Sequence, residues 1–201
     1  MKTKHWILAS SVAVATVLLT PRLVSQEEPE QGSLSQERLD ELAARNAPGP
    51  EHEILAGLVG RWDTKIRYFM QPGQAALASG TVTNEMILGG RFLRSVGQNQ
   101  GGPVKREQLD LFGFDRRLDE YTIASFDNWG TQYITAFGYM DEDGKSITLS
   151  GRDFDPDMLT EAQFDIVLRF DGPDEYVVEY YEKPSSGPRA LRVETVHTRA
   201  K

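Results

Sequence analysis

Past residue 25 the chain carries two histidines, His52 and His197, and it has no cysteine at any position. Thiolate nucleophiles, thiolate metal sites and disulfides are therefore excluded. No Gly-x-Ser-x-Gly elbow occurs, so a serine hydrolase would need an unfamiliar triad. The stretch "DFDPDMLTEAQF" spaces Asp153, Asp155 and Asp157 as in a calcium loop. Met158 stands where such a loop needs glycine, however, and Phe164 where it needs a closing bidentate acid, so the stretch reads as a solvated acidic turn. An acid or base for small-molecule chemistry would have to come from Glu85, Asp127 or His197. These residue types assign no catalytic group, metal or cofactor.

The elements that position these side chains begin at "EHEILAGLVG", where Ile54, Leu55 and Leu58 keep helical spacing for barely two turns before Gly60 stops them. From Arg61 the period becomes two, with Trp62, Thr64, Ile66 and Tyr68 on one face. Similar runs recur near 80–88, 91–97, 106–114, 120–127, 131–139, 145–152, 161–170, 175–182 and 190–199. They are punctuated by "QPGQ", "LGGR", "NQGGP", "DRRLDE", "DNWG", "DEDG", "DPD", "DGPDE" and "SSGP". No connection is long enough for a crossover helix, so about ten strands must form an antiparallel meander. Closing such a meander into a barrel removes its edges. The fold class is all-β.

The first 25 residues, "MKTKHWILASSVAVATVLLTPRLVS", pair two lysines with an apolar run from Ile7 to Leu19 and a small-residue cut after Ser25. This predicts a secretory signal and an exported protein, periplasmic or extracellular. The run is short of the roughly 20 residues that span a bilayer, so an uncleaved anchor is the weaker reading and no membrane span is expected after cleavage. Cleavage removes Lys2, Lys4 and Arg22 and no acid, leaving 19 basic against 30 acidic residues, a net charge of −11. Nucleic acid and anionic membrane surfaces are disfavoured as partners. Residues 26–47 read as a polar tether with a short helix capped by Ser33 or Ser35. The barrel domain takes residues 48–201.

A short helix, Gly-x-Trp opening the first strand and an arginine on the last strand together are similar to the lipocalin and fatty-acid-binding superfamily pattern. That resemblance implies a structural plug in which Gly60 and Trp62 close one end of the barrel and Arg199 lies over the tryptophan ring. The segments "PGPEHEILAGLVGRWD", "GTVTNEMILGGRFLRS", "LFGFDRRLDEYTIASFDNWGT" and "GKSITLSG" resemble the bacterial domain-of-unknown-function family 1579, a lipocalin-like family, over residues 48–199. The chain departs from that pattern at "GFD", where a tyrosine usually precedes the aspartate, and at His197, where an aromatic residue is commoner. The family implies an architecture and brings no established activity.

The alternation marks Tyr68, Tyr133, Phe137, Tyr180 and His197 as lumen candidates, with Arg91 at the rim after the Gly89-Gly90 turn. Arg91 has two readings, an anion contact and a rim ion pair. His197 shares a face with Val193, Thr195 and Arg199. An inward histidine there is similar to that of nitrobindin-like barrels, where it ligates haem, but a hydrogen-bonded core histidine is the competing reading. An aromatic lumen with hydroxyl groups suits a small hydrophobic or amphipathic ligand. A lumen filled by those same rings would instead make the chain a structural or protein-binding envelope component.

Overall fold

The structure is a computed structural model that describes residues 34–71, 74–102, 105–155, 160–183 and 188–201. The expected leader, the start of the tether and part of the acidic turn, including Asp157, lie outside the described residues.

Helix α1 (Gln36–Arg45) opens at Ser35, whose hydroxyl accepts from the Arg38 N–H at 3.2 Å. It buries no residue. Its end is held where Arg116 donates to the carbonyls of Arg45 and Ala47 at 3.1 and 2.9 Å. Helix α2 (Pro50–Ala56) places proline in its first turn, where a missing N–H costs nothing. His52 caps it, its Nδ1 accepting from the Gly49 N–H at 3.1 Å. That histidine serves the backbone, and its ring packs edge-on to Phe114.

Ten strands follow: β1 (Gly60–Gln71), β2 (Gln74–Ile87), β3 (Phe92–Gly101), β4 (Glu107–Asp115), β5 (Glu120–Asp127), β6 (Tyr133–Met140), β7 (Ser146–Asp155), β8 (Thr160–Gly172), β9 (Glu175–Lys183) and β10 (Ala190–Arg199). Each pairs antiparallel with its neighbours in sequence, and β1 pairs with β10 to close the barrel. The meander expected from the period-two pattern is present with every strand in place. Turns take the conformations their residues permit, with Gly144 at φ +67° in "DEDG" and Leu88, Gly89 and Gly90 all left-handed in "LGGR". Leu88 is strained there, because a side chain disfavours that region by about 1 to 2 kcal/mol.

One end of the barrel is plugged. Trp62 is 1% exposed, its Nε1 donates to the Leu58 carbonyl at 2.9 Å, and its ring meets Tyr176 edge-on with centroids 4.7 Å apart. The β1–β10 register sets Arg199 opposite Trp62, with the guanidinium carbon 4.2 Å from the indole centroid. Its N–H groups donate to Val59 O at 2.9 Å, Gly57 O at 3.1 Å and Pro173 O at 2.9 Å, and they pair with Asp174 at 3.0 Å. Gly60, at φ +134°, leaves room for this, since a Cβ there would lie 2.8 Å from Arg199 Nη1.

Replacing Trp62 with alanine is expected to cost about 3 to 5 kcal/mol, because the buried indole is truncated to a methyl group and a cavity is left under Arg199. Urea denaturation measures this. A loss below about 1 kcal/mol would mean that the indole does not carry the closed end.

Candidate functional site

Above the plug the barrel holds a cavity of about 420 Å³, within the range of small-molecule sites. Leu58 lines its floor, and the exposed Trp129 and Tyr133 line its opposite end, so the cavity reaches the surface there. The plugged end is thus the bottom and the β5–β6 connection lies at the mouth.

The walls differ in chemistry. Strands β1, β8, β9 and β10 contribute Ile66, Ile166, Leu168, Val178, Tyr180 and Val193. Strands β2 to β5 contribute Asn84, Ser95, Asn99, Gln108, Asp110 and Ser125, with Arg106 just before β4. The first side is mainly apolar and aromatic, interrupted by Thr64, Thr195 and His197, and the second sets most of the hydrogen-bonding groups among Val82, Leu93, Phe112 and Ile123. Sequence reasoning missed the polar side because it took large apolar residues as the sign of an inward face. The available signal was the parity: Asn84 follows Val82, Ser95 follows Leu93, and Asp110 precedes Phe112, each pair on one face.

Of the expected lumen residues, Tyr68, Tyr180 and His197 line the cavity. Tyr68 is buried and its hydroxyl accepts from Asn99 Nδ2 at 2.7 Å. Tyr180 stacks on Phe164 with centroids 5.4 Å apart. His197 is 4% exposed and stacks face to face on Tyr176 at 4.0 Å. Tyr133 is a rim residue, largely exposed and stacked on Phe126 at 5.3 Å.

Three placements correct the sequence reading. Phe137 faces outward and is 48% exposed, because β6 turns Ile134, Ala136 and Gly138 inward. The small residues are there for packing: a Cβ at Gly138 would lie 1.9 Å from the Thr148 carbonyl oxygen. Arg91 is exposed and folds onto its own turn, donating to Leu88 O at 3.2 Å, so it does not reach the cavity. Glu85 is also outside, paired with Arg94 at 2.7 Å. Asp127 does line the cavity, near the mouth, and pairs with Arg106 at 2.5 Å.

Below that pair lies Asp110, the residue that the sequence reading overlooked. Its Oδ1 accepts from Ser125 Oγ at 2.5 Å and its Oδ2 from Gln108 Nε2 at 3.0 Å. Burial pushes its carboxyl up to about 6, against the opposing pull of Ser125, Arg106 and Gln108. His197 moves the other way, burial bringing its imidazole down to about 4. It is neutral at pH 7. Three buried side-chain atoms among the described residues have no hydrogen-bond partner, Asn84 Oδ1, Arg106 Nε and His197 Nδ1, and all three residues line this cavity.

Residues 47–199 match the family described as "Protein of unknown function (DUF1579)". The chain belongs to this family. Among solved structures it is similar to Rv2717c from M. tuberculosis, at 17% identity and a TM-score of 0.57 over 76% of this chain and 99% of that one. It is also similar to the S-type phycobiliprotein lyase CPES from Guillardia theta, at 13% identity and a TM-score of 0.49 over 75% of this chain and 93% of that one. Comparison with curated proteins gives no match. At such identities the likeness concerns the fold, and within the DUF1579 family the polar wall of this barrel has to be read from its own residues.

The two shifted groups give opposite pH slopes. Asp110, raised to about 6, contributes stability that is lost as pH rises through 6, whereas His197, lowered to about 4, contributes stability that is lost as pH falls from the ordinary histidine range toward 4. In wild type the two slopes largely offset. Asp110→Asn removes only the first, so the variant is expected to be more stable than wild type by up to about 3 kcal/mol at pH 8 and equal to it at pH 4. Paired denaturant titrations at the two pH values measure this, and equal stability at pH 8 would contradict the burial cost assigned to Asp110.

Proposed function

We propose that this DUF1579 protein is exported and binds a small amphipathic or hydrophobic molecule in the barrel lumen. The observation that carries the reading is the two-sided cavity, with an apolar wall from Ile66 round to Val193 facing a polar wall that includes Asn84, Asp110 and Ser125. A filled barrel would bury its rings against one another and leave no such volume. Unpartnered polar atoms on a cavity wall also favour a binding role over a purely structural one, because a buried donor or acceptor without a partner costs about 1 to 3 kcal/mol. A ligand group can recover that cost. Export rests on the leader pattern of residues 1–25.

The neutral dye N-phenyl-1-naphthylamine should brighten on mixing with the purified chain. Val178→Trp, which fills the lumen, should weaken that binding by about tenfold or more while the barrel stays folded by circular dichroism. Phe137→Ala, on the outer face, should leave binding unchanged. Equal binding by wild type and Val178→Trp would place the dye outside the lumen and count against this function.

A further inference from the structure

We propose that the lumen selects molecules bearing a cationic amine head group, held by Asp110 and Asn84, over molecules bearing a carboxylate. The inference rests on the lumen-binding reading and adds the chemical class of the ligand. Four formally charged side chains line the cavity: Asp110, Asp127 and Asp153, and a single cation, Arg106. Arg106 is engaged by Asp127, so the mouth pair is close to neutral. Asp110 and Asp153 have no ion-pair partner among the described residues, and His197 brings no positive charge at neutral pH. The surroundings of a bound head group are therefore net negative.

Hydrogen-bonding capacity points the same way. Each Asp110 oxygen accepts a single hydrogen bond, from Ser125 or Gln108, although a carboxylate oxygen can take two. Asn84 spends both amide donor contacts on Leu58 O at 3.0 Å and Tyr176 Oη at 3.1 Å, which fixes the amide so that Oδ1, on a residue only 3% exposed, is left without a donor. Spare acceptors require donors, and an alkylammonium offers three and accepts none. Its charge also offsets what an ionised Asp110 loses by burial, which a hydroxyl does only weakly. A carboxylate would add a second buried anion beside Asp110. Among the charged groups the opposing feature is the unpartnered Arg106 Nε, which needs a single acceptor such as an ether or carbonyl nearer the mouth, and the unpartnered Nδ1 of neutral His197 can donate or accept according to its tautomer.

Competition against N-phenyl-1-naphthylamine with octylamine, octanol and octanoate tests this. At pH 8 octylamine should displace the dye at about tenfold lower concentration than octanoate, with octanol between them. In Asp110→Asn the amine preference should disappear while dye and octanol binding persist. Should that variant fail to fold, the wild-type protein carries the test alone: octylamine should lose its advantage over octanol between pH 8 and pH 5 as Asp110 is neutralised. The other titratable groups on this cavity are Arg106, Asp127, Asp153, Tyr68, Tyr133, Tyr176, Tyr180 and His197; burial moves Tyr176 and Tyr180 up and His197 down, away from that interval, while it moves Asp110 into it. Dye binding with octanoate equal to or better than octylamine would overturn the amine assignment and leave lumen binding standing. No dye binding at all would overturn both.

Discussion

Arg199 holds the closed end, and the rest of the barrel is arranged around what it holds. One guanidinium lies over the Trp62 ring, donates to carbonyls at Gly57, Val59 and Pro173, and pairs with Asp174. Those carbonyls belong to the α2–β1 junction and the β8–β9 turn, backbone that would otherwise be without partners at a barrel end. A lysine could not make these contacts, since its ammonium lacks the planar fork of donors. The same junction is tied from inside the barrel, where Leu58 O accepts from both Trp62 Nε1 and Asn84 Nδ2. With one end closed so tightly, the space above it reaches the surface beside Trp129 and Tyr133 on the β5–β6 side.

Asn84 links that architecture to the lumen. Its amide nitrogen holds the floor together, and its buried oxygen is left without a partner on a residue that lines the cavity. Asp110 repeats the pattern, with two side-chain donors keeping its orientation while burial penalises its charge. Groups of this kind are costly in a core that only has to be stable, where an apolar replacement of similar volume would do as well or better. Their presence beside the apolar side chains of the cavity is what the proposed ligand would answer.

The fold was legible because period two survives in the sequence, most plainly in β3, where buried and exposed residues alternate, and because glycine-rich and aspartate-rich turns mark the reversals. The Gly60, Trp62 and Arg199 arrangement was legible for a different reason, the resemblance of the entry motif and last strand to the lipocalin and fatty-acid-binding superfamily pattern. The lumen was less so. Bulk misled at β6, where Phe137 was taken as a lumen residue but Ala136 and Gly138 are the buried ones, and at Gly138 the neighbouring backbone comes too close for any side chain. The polar residues of β3 to β5 were passed over, and only closure of the barrel shows that the side of the strand carrying Ser95, Asp110 and Ser125 is enclosed. Arg91 was placed at a rim by its position after a turn, and only the geometry shows that it folds back onto that turn.

The central claim is that the space between the two walls is a binding site. Nuclear Overhauser contacts between N-phenyl-1-naphthylamine and methyl-labelled protein test it most directly. The account predicts contacts from the dye to the methyl groups of Ile66, Leu168, Val178 and Val193, which line the cavity. Contacts confined to outward-facing methyls such as those of Leu77, Val96 or Leu118 would contradict it.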